Sequence, residues 1–165
     1  MRRANSCLLL LILVFCAFLA LGAWAVYRIP TAAEANFGPA SPSLSTSQKF
    51  LLSWRLLQAE DKLISPANPF GAEIPFKISL GESPTSVSNR LETDGLIQES
   101  DGFRDFLVYA GLDTRIQAGD YTLSPATSAI DIAYNLLDAT PTEVPFAVLA
   151  GWRLEEVAES LPKSG

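Results

Sequence analysis

The 165-residue sequence contains no histidine. That excludes Ser-His-Asp and Cys-His nucleophile schemes and the usual zinc sites. Cysteine is nearly absent too, with only Cys7 and Cys16, both inside one apolar run. Nine positions apart on a helix places them on opposite faces, so they do not pair with each other. The remainder is cysteine-free and carries neither disulfide nor thiol chemistry. No basic stripe offsets the net charge of −6, which argues against nucleic acid as a partner. No glycine-rich phosphate loop is present. Chemistry in this chain rests on carboxylates, Lys or Tyr, and no residue types point to a metal or cofactor.

Long charge-free stretches are also missing, with one exception. Residues 7–27, CLLLLILVFCAFLALGAWAVY, hold no charged side chain. As a helix this run is about 31 Å long, enough to cross a hydrocarbon core of roughly 30 Å. Trp24 and Tyr27 fall near its end, where amphipathic rings favour the membrane–water boundary. Arg2 and Arg3 precede it and a lone Arg28 follows, a bias that keeps the N-terminus in the cytoplasm. The expectation is a single-pass protein of the cytoplasmic membrane: a tail at 1–6, a transmembrane helix at 7–27, and an exported domain. A cleaved signal peptide is the alternative, since Ala23-Trp24-Ala25 has the small-x-small form. Phe15 directly before Cys16 does not suit a lipid-attachment site.

Residues 28–46 are rich in Pro, Ala, Ser and Thr and read as a linker. A helix is expected over 47–66, capped by Ser47, with Phe50, Leu51, Trp54 and Leu57 on its docking face. Strands are expected at 74–80, 119–123 and 143–149. Pro84 suits the first turn of a helix capped by Ser83 and stopped by Gly95. A second helix, capped by Ser100 and closed by Gly111, carries Phe103, Phe106, Leu107 and Ala110 on one stripe. That stripe is expected at the heart of the core, with Asp105 on the solvent side. Helices follow over 127–137 and from Gly151. The order β-α-α-β-α-β-α indicates an α+β domain of roughly 90 residues. Glu155, Glu156 and Glu159 lie opposite the apolar face of the last helix and read as solvated.

The β-α-α-β unit over 74–123 resembles a LysM-type module. The wording IPFKISLGESPTSVSNRLETDGLI, FRDFLVYAG, IQAGDYTLSPATSAIDIAYNLL and VPFAVLAGWRLEEVAESL is similar to the YceG-like endolytic murein transglycosylases. Ala150 stands where the family usually has a glutamate before Gly151.

The resemblance implies a membrane-anchored enzyme of bacterial cell wall biogenesis. It would cleave MurNAc–GlcNAc bonds without hydrolysis, leaving 1,6-anhydro ends, through a glutamate acid/base and no metal. That glutamate is expected downstream of the Gly-Trp-Arg segment, beyond Gly165, so no catalytic residue is assigned here. Residues 124–165 would open the catalytic region. The LysM likeness implies glycan strands in a groove between the loop after the first strand and the loop before the second. The candidates there are Glu82, Ser83, Gln117, Asp120 and Tyr121. Gly81, Gly95, Gly119, Gly151 and Trp152 carry the family wording, with Trp152 at the start of the cleft. Peptidoglycan glycan strands and the membrane are the implied partners. A non-enzymatic wall-binding module, or one recruited to the cell-wall synthesis machinery through helix 47–66, is the alternative.

Overall fold

The computed structural model describes residues 2–138, and side chains from Ile12 onward. Eight elements follow in order: α1 (Arg2–Phe37), α2 (Thr46–Gln58), α3 (Glu60–Ile64), β1 (Ile74–Ile78), α4 (Pro84–Thr93), α5 (Ser100–Ala110), β2 (Gly119–Leu123) and α6 (Ala129–Asn135). The fold is mixed, with helices packed around a two-stranded antiparallel sheet. The strand expected at 143–149 and the helix expected from Gly151 lie outside the described residues.

The expected linker is the first correction. α1 does not stop near Tyr27 but continues to Phe37, with Pro30 inside it. The composition that suggested a tether includes Ala32, Ala33 and Ala35, and alanine is the best helix former. Burial completes the argument: Ala33 is fully buried and Phe37 is 5% exposed. Gly38, at φ 82°, ends the helix and donates its N–H to the Glu34 carbonyl at 3.0 Å.

The second helix starts earlier than expected and docks by another face. Its cap is Ser45, not Ser47. The Gln48 N–H donates to Ser45 Oγ at 3.4 Å, and the Ser45 N–H donates to Gln48 Oε1 at 3.0 Å. Leu52, Leu56, Ala59 and Leu63 are buried, while Leu51 and Trp54 are exposed. Both stripes have helical spacing, and the partners supplied by α1 and α5 decide between them. The helix also breaks at Ala59, so residues 46–64 form two helices rather than one.

The β-α-α-β unit follows the expected order. β1 pairs β2 with Ile74 opposite Leu123, Phe76 opposite Tyr121 and Ile78 opposite Gly119. Phe76, Ile78, Tyr121 and Leu123 point inward at the strand period of two. β1 ends two residues before the expected Leu80, because the Ser79 N–H turns to Glu82 instead of a strand partner. Pro84 is at the start of α4 behind the Ser83 cap, as expected. Ser100 is the first residue of α5 rather than its cap, which is Glu99.

Phe103, Phe106, Leu107 and Tyr109 of α5 are all fully buried. Phe106 meets the rings of Phe37 and Tyr134, each at 6.2 Å between centroids, so α5 ties α1 to α6. Ala129, Ile132, Ala133 and Leu136 close the core from α6. Asp105 departs from expectation. It is 7% exposed, because α2 packs across that side of α5 and brings Arg55 to it.

Candidate functional site

The pairing of Ile78 with Gly119 brings the loop after β1 and the loop before β2 to the same end of the sheet. The loops that hold Glu82, Ser83 and Gln117 therefore lie at one end of the sheet, while Asp120 and Tyr121 lie within β2, opposite Lys77 and Phe76. The side chains of these five residues are already engaged.

Glu82 is the clearest case. Its carboxylate accepts the Ser79 N–H at 3.1 Å, the Ser86 hydroxyl at 2.9 Å and Arg90 Nη1 at 2.9 Å to each oxygen. Burial opposes its charge. The Ser79 N–H, Arg90 and Ser86 together outweigh burial and hold the carboxyl below its ordinary range. Arg90 also donates to the Lys77 carbonyl at 2.9 Å and lies 4.6 Å over the Phe76 ring. Glu82 and Arg90 thus pin the loop to α4 and the sheet.

Ser83 Oγ accepts the Ser86 N–H at 3.2 Å and serves as the α4 cap. Gln117 Nε2 donates to the Leu137 carbonyl at 2.7 Å. Asp120 lies 3.5 Å from Lys77 Nζ across the strands. Tyr121 offers no sugar-stacking platform: it is 6% exposed, and its hydroxyl donates to the Gln117 and Leu136 carbonyls at 2.5 and 3.0 Å. Burial, then the charge of Asp138, pushes its phenol up.

The glycines are explained by the backbone. Gly81 and Gly95 sit at φ 79° and 70°, conformations that favour a residue without a Cβ. Gly119 is the β2 partner of Ile78. Gly151 and Trp152 lie outside the described residues.

Two features were missed from sequence. Leu80, 84% exposed, stands at the tip of the loop after β1. An apolar residue directly before a Gly-Glu-Ser turn was the available signal. The second is a polar cleft of about 330 Å³ between α2, α3 and α5, lined by Arg55, Gln58, Lys62, Glu99, Asp101 and Asp105. Arg55 Nε lies 3.2 Å from Asp105 Oδ2, and Lys62 Nζ lies 3.1 Å from Glu99. Burial raises the Asp105 pKa against the pull of Arg55 and Arg104; Asp101 and Glu99 add to the rise. A raised carboxyl is what general acid chemistry requires. Here, however, both Asp105 oxygens face Arg55, which makes the pair a clamp between α2 and α5. No group of three acidic or cysteine side chains suited to a metal ion occurs among the described residues.

A compact α+β unit, preceded by one helix long and apolar enough to cross a membrane, defines the general class. The chain belongs to the YceG-like family, the family of the endolytic murein transglycosylases, which matches residues 76–165. No curated protein and no solved structure matches the chain.

Proposed function

We propose that this chain is the anchoring and substrate-holding part of an endolytic murein transglycosylase. α1 crosses the cytoplasmic membrane with its N-terminus inside, and the β-α-α-β unit lies outside as a LysM-like module. The observation that carries this reading is the family match from Phe76 onward. The antiparallel β1–β2 pair, which juxtaposes the two loops expected to flank a glycan, supports it.

Because Tyr121, Glu82 and Gln117 are committed to internal bonds, contact with glycan falls to other groups of the same loops. These are the exposed Leu80 side chain and the backbone around Gly81 and Ala118. An apolar side chain packs on a sugar face, and backbone amides supply the polar anchors. Cleavage to 1,6-anhydro ends falls to a carboxylate other than Glu82 and Asp105. Glu82 is held ionised in its Arg90 network, and Asp105 is closed off by Arg55.

The test is co-sedimentation of the full chain, in detergent micelles, with insoluble peptidoglycan. Retention above a control protein is expected, and Leu80→Asp should reduce it without changing the melting midpoint. No retention of the unaltered chain would sink the glycan-holding claim.

A further inference from the structure

We propose that α1 is one rigid strut, joining the membrane span to the exported domain so that the domain is held at a fixed height and orientation against the lipid headgroups. The proposal rests on the reading of α1 as a membrane span.

The helix that leaves the apolar run is the same helix that enters the core. Ala33 and Phe37 are buried in the domain, and the Phe37 ring packs on Phe106. Polar ties fix the rotation of the helix about its own axis. Lys49 pairs with Glu34, and Asn36 Nδ2 donates to Glu60 Oε1 at 2.9 Å. The turn beyond the helix is tied as well. The Tyr109 hydroxyl donates to the Gly38 carbonyl at 3.2 Å, and the Ser41 N–H donates to the Tyr109 carbonyl at 2.7 Å.

Pro30 is the one point inside this stretch where the helical ladder must lose an N–H. Thr31 bridges that turn, its hydroxyl reaching the Tyr27 and Arg28 carbonyls at 3.2 and 2.9 Å. Arg28 lies 5.7 Å over the Trp24 ring, a pairing suited to the boundary of a bilayer.

The magnitudes separate a strut from a tether. Six helical residues from Tyr27 to Ala33 span about 9 Å, so the core begins at headgroup level. A flexible linker over 28–46 would instead have a root-mean-square reach of about 24 Å and no fixed orientation.

The experiment uses the full chain in lipid nanodiscs. Cys7→Ser leaves the native Cys16, exposed on the span, as one spin-label site. Asn89→Cys on the exposed side of α4 supplies the other. Double electron–electron resonance then reads the distance distribution between span and domain. A within-domain pair, Asn89→Cys with Thr114→Cys in the Cys7→Ser/Cys16→Ser background, sets the width expected of a rigid body. The span-to-domain distribution should be as narrow as the control, and a Gly/Ser insertion after Arg28 should broaden it alone. A wild-type distribution as broad as that of the insertion variant, with a narrow control, overturns the strut. Release of the chain from membranes by carbonate overturns the spanning reading itself, and the strut with it. A broad distribution in carbonate-resistant protein overturns the strut alone.

Discussion

Phe106→Ala removes the ring that joins three helices. Phe106 is fully buried on α5 and meets Phe37 of α1 and Tyr134 of α6, each at 6.2 Å. Truncating a buried Phe costs about 3–5 kcal/mol, the lost transfer energy plus the cavity left behind. The tilted pair with Phe37 and the T-shaped pair with Tyr134, worth about 0.5–1.5 kcal/mol each, place this site toward the upper end. A domain of this size has about 5–15 kcal/mol of total stability, so the variant loses about a third of it or more. With a urea slope of about 1.5 kcal/mol per molar, the midpoint should fall by about 2–3 M. The assay is a urea melt of the full chain in detergent micelles, followed by near-ultraviolet circular dichroism. Phe106→Leu should recover most of the loss, since it restores apolar volume. Asn89→Ala, on the exposed side of α4, is the silent control. A Phe106→Ala midpoint equal to that of Asn89→Ala would refute the placement of α5 at the centre of the core.

Glu82→Gln should cost about 1.5–3 kcal/mol at neutral pH, the range for a hydrogen bond to a charged group. The folded pKa of Glu82 is lowered, so its contribution is present above the unfolded value and lost as pH falls through the folded one. Melts of wild type and variant should therefore converge in acid; a gap independent of pH contradicts the network. Asp105 carries the opposite sign. Its folded pKa is raised, so its contribution is complete below the unfolded value and fades as pH rises through the folded one. The stability of wild type relative to Asp105→Asn should thus fall from acid to neutral pH, and a flat difference would show that Asp105 is solvated. Gly102→Ala should cost about 1–3 kcal/mol, because a Cβ there meets the Ala59 Cβ at 2.9 Å and forces the α2–α3 junction off α5. An unchanged melt would show that this junction gives way freely.

Local signals were legible where one element's own pattern sufficed. The β2 bounds, the Pro84 start of α4 and the Phe103/Phe106/Leu107 stripe follow from period, caps and turn residues. What failed depended on partners distant in sequence. α2 carries two apolar stripes, and only the packing of α1 and α5 selects Leu52, Leu56 and Ala59 over Leu51 and Trp54. Asp105 reads as a solvent residue until Arg55, fifty positions earlier, is placed beside it. The stretch 28–37 has a tether's composition and becomes helical because Ala33 and Phe37 find a core. At the candidate site the Ser83 cap was legible. The internal bonds of Glu82, Gln117, Asp120 and Tyr121 were not, since Arg90, Lys77, Leu136 and Leu137 come from other elements.

We propose that this chain anchors and holds murein and does not itself cleave it. The most direct measurement incubates the purified 165-residue chain, in nanodiscs, with isolated sacculi and separates pellet from supernatant. Protein in each fraction is quantified, and both fractions are digested with a muramidase and analysed for muropeptides with 1,6-anhydro ends. Chain in the pellet and no anhydro-muropeptides above an empty-nanodisc control are expected. Anhydro ends formed by the chain in either fraction would contradict the assignment of roles, and chain left in the supernatant would contradict the hold on murein.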